Sequence, residues 1–303
     1  MNGCFRAGAA LIVLLNAGCA QHTAPAAVAP PAAAAAIADG SPQIVTSADG
    51  VHIEYQVYGH GDPAIVLVHG WSNNANYWNA QLDALKTKYT VVTLNLAGHG
   101  ASGKNRADWS IENYGADVAA VVHEIANPKV VLVGHAMGGI VALESARRIG
   151  ARVIGIIGVD AFKSIGQAPM SKTQFAELMQ PFRSDFIAHM HEFVGDYLFI
   201  QGADPAFVRK VTDDMARASP EVAVASLEGL YRYDIAAALR EIHVPIIAIN
   251  SDLRMPTDEA RIRKSAPTFR AIVVPGSGHF LMMEAPGRFN PLLLQTIDSL
   301  AKP

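Results

Sequence analysis

The chain has 303 residues, 50% of them hydrophobic and 17% charged, with a net charge of −3. That apolar content suffices for a sizeable core and excludes a wholly disordered chain, and the length suits one large α/β domain with extras. The slightly acidic balance argues against nucleic acid or an anionic membrane surface as an electrostatic partner.

In chain order, Arg6 precedes an apolar run over 7–17 that is too short to cross a bilayer as a mature helix. The run ends in Asn16-Ala17-Gly18-Cys19. This resembles a bacterial lipoprotein signal, which is cut before the cysteine. The resemblance implies a signal over 1–19, export to the periplasm, and an outer-membrane lipid anchor on Cys19. Asn16 departs from the aliphatic residue usual three positions before that cysteine, so ordinary signal-peptide cleavage nearby stays open. The two cysteines are Cys4 and Cys19, and cleavage before Cys19 leaves none to pair with it. Residues 20–40 are rich in Ala and Pro and read as a tether.

The folded domain is expected over 41–303. Residues 43–46 and 51–58 read as strands around the turn Ala48-Asp49-Gly50. Short apolar runs follow at 64–68, 90–94, 130–133, 153–159, 246–249 and 271–274, as expected for strands buried on both faces of a parallel sheet. Helical stretches at 76–86, 111–126 and 139–149 separate several of them. The alternation predicts an α/β class with a mostly parallel central sheet flanked by helices. It breaks over about 162–240, where Phe175, Leu178, Met179, Phe182, Phe186, Met190 and Phe193 recur three or four residues apart. This stretch reads as an inserted helical cap. Its apolar stripe is expected in the cap core, with some of it lining a substrate pocket.

Four local patterns follow one another. They are Val66-Leu67-Val68-His69-Gly70-Trp71, Asn95-Leu96-Ala97-Gly98-His99-Gly100, Val133-Gly134-His135-Ala136-Met137-Gly138-Gly139, and Val274-Pro275-Gly276-Ser277-Gly278-His279. In this order they resemble the α/β-hydrolase family, and the resemblance runs from about Ser41 to the end. It implies esterase-like acyl-transfer chemistry on a small, apolar ester-like substrate, without a cofactor. The elbow in that family reads Gly-x-Ser-x-Gly, so Ala136 stands at the nucleophile position. The N–H groups of Met137 and Trp71 are implied as the oxyanion hole, and His279 as the general base. His99 and His135 match positions where the family often has histidine for structural reasons.

The acid that orients the base has two candidates. Counting back from Pro256-Thr257 selects Asp252, whereas a gapless count from the strand start meets Arg254. Asp160, at the end of Gly158-Val159-Asp160, is the alternative, because some family members carry the acid on that earlier strand. Asp258 reads as a first-turn helix residue. No His-Glu-x-x-His or cysteine cluster is present, and the glycine-rich turn over Gly134 to Gly139 lacks G-x-G-x-x-G spacing, so neither metal nor cofactor is expected.

Ala136 has no oxygen or sulfur with which to form an acyl-enzyme. Three explanations stay open from the sequence. One is a serine hydrolase inactivated by a Ser→Ala change. Another is a natural pseudoenzyme that binds a ligand. The third is a lyase or cofactor-free oxygenase that works through the His279 dyad alone.

Overall fold

The computed structural model describes residues 39–302. The signal sequence, Cys19 and all but the last two residues of the tether lie outside the described residues. Among the described residues, no helix is long and apolar enough to cross a membrane.

Eight strands form one sheet: β1 (Gln43–Thr46), β2 (His52–Tyr58), β3 (Ala64–Val68), β4 (Thr90–Leu94), β5 (Val130–His135), β6 (Val153–Val159), β7 (Ile246–Ser251) and β8 (Arg270–Val274). Their spatial order is β1-β2-β4-β3-β5-β6-β7-β8. The first two strands are antiparallel, β2 also runs antiparallel to β4, and every pair from β4 to β8 is parallel. Burial follows from this position. All residues of β3, β4 and β5 are buried, which is why they read as unbroken apolar runs, whereas the edge strand β1 alternates.

Helices α1 (Asn79–Leu85), α2 (Ile111–Glu124) and α3 (Met137–Ile149) follow β3, β4 and β5. The helix expected over 76–86 is split. The Asn74 side chain accepts from the Asn76 N–H, Asn95 Oδ1 holds the Ala75 N–H, and a 3-10 turn, Ala75–Trp78, precedes α1. Strand β5 runs on to His135, and α3 begins at Met137 instead of Gly139.

Between β6 and β7 the chain makes α4 (Lys172–Ser184), α5 (Phe186–Tyr197), α6 (Pro205–Met215), α7 (Pro220–Arg232) and α8 (Ile235–Glu241). Each begins on a side-chain cap: Ser171, Asp185, Asp204, Ser219 and Asp234. The apolar stripe divides. Met179, Phe182, Phe186 and Met190 are buried in the core, whereas Leu178 is 42% exposed. After β7 come α9 (Glu259–Arg263), α10 (Leu281–Glu284) and α11 (Pro286–Ala301).

The tightest backbone approach lies where β5 turns into α3. A β-carbon on Gly134 would lie 2.1 Å from Gly138 O, and one on Gly138 would lie 2.4 Å from His69 O. Both atoms that such a carbon meets are backbone, so neither can swing aside. Gly138→Ala is therefore expected to lower unfolding stability by about 3 kcal/mol in urea titrations. Gly195→Ala in α5, where an added carbon meets nothing within 4 Å, is expected to leave it unchanged or slightly raised.

Candidate active site

Strands β5 and β6 end in register, with His135 opposite Val159, and the residues just beyond leave the same carboxyl edge. Ala136 sits at the tip of the elbow with φ 49° and ψ −117°, and is half-buried. Its N–H donates to Val159 O at 3.0 Å, and its carbonyl accepts from Gly139 N at 3.0 Å. Met137 is the first residue of α3, so its N–H has no acceptor within the helix. Trp71 begins the loop after β3, next to Ser72 at φ 54°. Its indole Nε1 donates to Ala223 O at 2.8 Å in α7, which pins this loop beneath the cap.

His279 lies in the turn between β8 and α10. Glu284 holds that turn by accepting from Gly278 N at 2.9 Å and Phe280 N at 3.0 Å. The His279 N–H donates to Leu198 O at 2.9 Å, at the end of α5. The His135 ring packs 4.6 Å from the His279 ring, and its Nε2–H donates to His279 O at 2.9 Å. A carbonyl only accepts, so this bond fixes the tautomer of His135. Burial pushes His135 down to about 3, and the neighbouring His279 acts in the same direction.

His279 Nδ1 donates to Asp160 Oδ2 at 2.6 Å. Asp160 leaves the end of β6 at φ 45°, and its other oxygen receives Ser251 N at 2.9 Å, Ser251 Oγ at 2.8 Å and Lys163 Nζ at 2.7 Å. Burial alone would raise this carboxyl. The hydrogen bond and charge of His279, joined by Lys163, outweigh it and hold Asp160 well below the usual carboxylate range.

The structure therefore brings Ala136, Met137, Asp160 and His279 to one edge, and it corrects the choice of Asp252. That residue is exposed and its carboxylate accepts from Gly276 N at 2.9 Å, steadying the loop before His279. Strand β7 runs to Ser251, and Asp252 opens the exposed turn beyond it. Arg254 bonds to Asp196 O, and Asp258 caps α9. His69 and His99 are structural. His69 donates from Nδ1 to Gly70 O at 2.8 Å and accepts Leu96 N at 3.0 Å, while His99 Nδ1 bonds Ala97 O at 2.9 Å.

Sequence reasoning missed Lys163, Ser251 and Glu284. A lone Lys three residues after Asp160, and a lone Glu after Phe280-Leu281-Met282-Met283, were the available signals. A cleft of about 1060 Å³ opens from Ala136, Met137 and Asp160 beneath the cap. Ile140, Phe175, Leu178, Leu227, Leu230 and Ile235 give it a largely apolar wall, and His279 and Trp71 stand outside that lining. Among the described residues, no group of three or more His, Cys, Asp or Glu side chains is placed to hold a metal ion.

A family model described as "Alpha/beta hydrolase family" matches residues 65–292. The chain belongs to the alpha/beta hydrolase family. It is 28% identical to a non-heme haloperoxidase of Rhodococcus erythropolis, across 84% of this chain and 99% of that one. It is 26% identical to 3-oxoadipate enol-lactonase 2 of Acinetobacter baylyi, across 67% and 76%. A thermophilic esterase from Thermogutta terrifontis superposes with a TM-score of 0.75 at 22% identity, across 86% of this chain and all of that one (100%). In this family's fold the carboxyl edge of the sheet, beneath the cap, is where Ala136, Asp160 and His279 meet.

Two outcomes follow from this geometry. Asp160→Asn is expected to remove the low-field proton resonance of His279 Nδ1–H, whereas Asp252→Asn is expected to retain it. For His135, the unfolded state binds the proton more tightly than the folded state. Its contribution is complete above about pH 6.5 and is lost as pH falls toward 3. Urea unfolding is expected to lose about 2 kcal/mol from this group between pH 6.5 and 5. His135→Gln, which keeps a donor for His279 O, is expected to flatten that slope.

Proposed function

We propose that this site is that of a carboxylic-ester or related acyl hydrolase in which Ala136 occupies the place of the nucleophilic serine. In this reading His279 is the general base. Asp160 orients it and balances the imidazolium that forms when it takes a proton. The N–H groups of Met137 and Trp71 receive the developing oxyanion, helped by the positive end of α3. The observation that carries the reading is the 2.6 Å bond from His279 to Asp160, formed beside the strained elbow.

The apolar cleft favours a neutral ester with a hydrophobic acyl group. The lining lacks a cation free to pair with an anionic substrate, since Lys163 is bonded to Asp160, Ser251 and Leu253. With alanine at 136 the chain forms no acyl-enzyme, and loss of a nucleophile of this kind lowers turnover by about six orders of magnitude. Ala136 itself favours a second reading, in which the chain as it stands binds such esters or acids without turning them over.

Installing the hydroxyl separates these readings. Ala136→Ser, assayed on p-nitrophenyl esters of graded chain length, is expected to raise kcat/KM at least about 10³-fold over the parent. The added activity should disappear in Ala136→Ser combined with His279→Ala. Retained ligand binding by calorimetry with no gain from serine would sink the hydrolase reading and leave the binding one. The lipid anchor on Cys19 and export to the periplasm are part of the same proposal, tested by radiolabelled palmitate incorporation in the parent and in Cys19→Ala.

A further inference from the structure

Lys163 places a cation against the dyad. Its Nζ lies 2.7 Å from Asp160 Oδ1 and donates to Ser251 Oγ at 3.1 Å and Leu253 O at 3.3 Å. The side chain is only 10% exposed. Asp160 Oδ1 already receives both the N–H and the hydroxyl of Ser251. That oxygen is satisfied without the ammonium, so what Lys163 adds is chiefly charge. The path of the chain supports a built contact: Asp160 and Phe162 both take positive φ, 45° and 68°. Arg261 then fixes the backbone of the turn by donating to the carbonyls of Lys163 at 2.7 Å and Ile165 at 3.1 Å.

The groups facing His279 set what this charge does. Asp160 approaches from the end of β6, His135 from the elbow, Glu284 from α10, and the Leu198 carbonyl from α5. His135 is kept neutral by burial, and Glu284 is engaged by the N–H groups of Gly278 and Phe280. Two carboxylates therefore bear on the imidazole, and Lys163 stands against the nearer of them. The adjacent cleft is largely apolar, so these charges are weakly screened.

We propose that Lys163 is a positioning residue that sets the protonation of the His279–Asp160 dyad, its ammonium offsetting the carboxylate charge that would otherwise hold a proton on His279. A base must be unprotonated to act, and Lys163 widens the pH range over which it is. The bond to Asp160 is kept while the excess negative charge is removed.

The inference rests on the dyad described above, but its test reads proton binding in the chain as it stands, with alanine at 136. Failure to restore hydrolysis therefore does not decide it. The dyad's titration midpoint is followed through the His279 imidazole nitrogens by NMR, in the parent, Lys163→Met, Lys163→Gln and Lys163→Arg. Loss of the positive charge is expected to raise the midpoint by about one pH unit in the Met and Gln variants. The Arg variant is expected to stay within about 0.3 units of the parent, because it keeps the charge. Gln keeps an amide donor for Asp160 and serves where Met does not fold. An unchanged or lower midpoint in a folded neutral variant overturns the proposal. So does an Arg variant that shifts as far as Met, since that would trace the effect to shape and not to charge. Should Ala136→Ser prove active, the acid limb of its kcat/KM profile is expected to move upward in the same neutral variants.

Discussion

The close backbone crossing at the end of β5 is the constraint on which the site depends. Gly134 and Gly138 allow α3 to start against the carbonyls of His69 and Gly138 with no room for a side chain at either place. This forces the residue between them into a conformation that residues with a β-carbon rarely adopt, at a cost of about 1–3 kcal/mol. The bond from Ala136 N to Val159 O locks that conformation to the neighbouring strand. Such strain persists only where the surroundings over-determine it. Here it is retained although the methyl group of alanine gains nothing from being aimed at the edge of the sheet. In the proposed hydrolase reading a longer, polar side chain at this tip would give the strain a use.

Around that point the polar groups are arranged as a chain of fixed donors. Asp160 takes four hydrogen bonds or ion-pair contacts, from Ser251 twice, Lys163 and His279. His279 is held at its backbone from both sides, by Leu198 through its N–H and by His135 through its carbonyl. His135 is buried and neutral, so it orients His279 without competing for a proton. Each contact limits a different freedom of the imidazole, which in the proposed role of base would lose little entropy on engaging a substrate.

Most of the architecture was legible because burial leaves a direct mark on sequence. Strands covered on both faces, such as β3 and β4, can hold only apolar side chains, and their limits were readable to the residue. The elbow was equally legible, since backbone contact admits only glycine. The carboxylate that pairs with His279 was harder to read. Asp252 and Asp160 both follow a strand at the same edge, and local pattern does not tell which carboxylate turns inward. That is decided by φ 45° at Asp160 and by the two Ser251 donors waiting for it, which are contacts 91 residues apart in sequence. Glu284 and Lys163 were missed for the same reason. Each acts across a turn whose shape is fixed by tertiary packing, and neither belongs to a recurring motif. The cap stripe was read as a helix face, but periodicity does not say which part of a face meets the core. Met179 is fully buried, whereas neighbouring Leu178 stays partly exposed at the cleft.

The cap is bonded to the site too directly to act as a separate lid. Ala223 O in α7 holds the indole of Trp71, Leu198 O after α5 holds the His279 N–H, and Asp214 in α6 holds the Asn74 side chain at 3.1 Å. The first and third contacts govern the loop that carries Trp71, and the second governs His279. Phe182 and Phe193 of the cap also meet the Trp71 ring edge-on, with centroids 5.4 and 6.3 Å away, so a ligand that wedged α4 and α7 apart in the cleft would strain the Trp71 contacts. In the hydrolase reading, accommodation of larger acyl groups would then loosen the loop that carries Trp71. Binding and alignment oppose each other in such an arrangement, and the wall of the cleft sets substrate size as much through the atoms it moves as through the volume it offers.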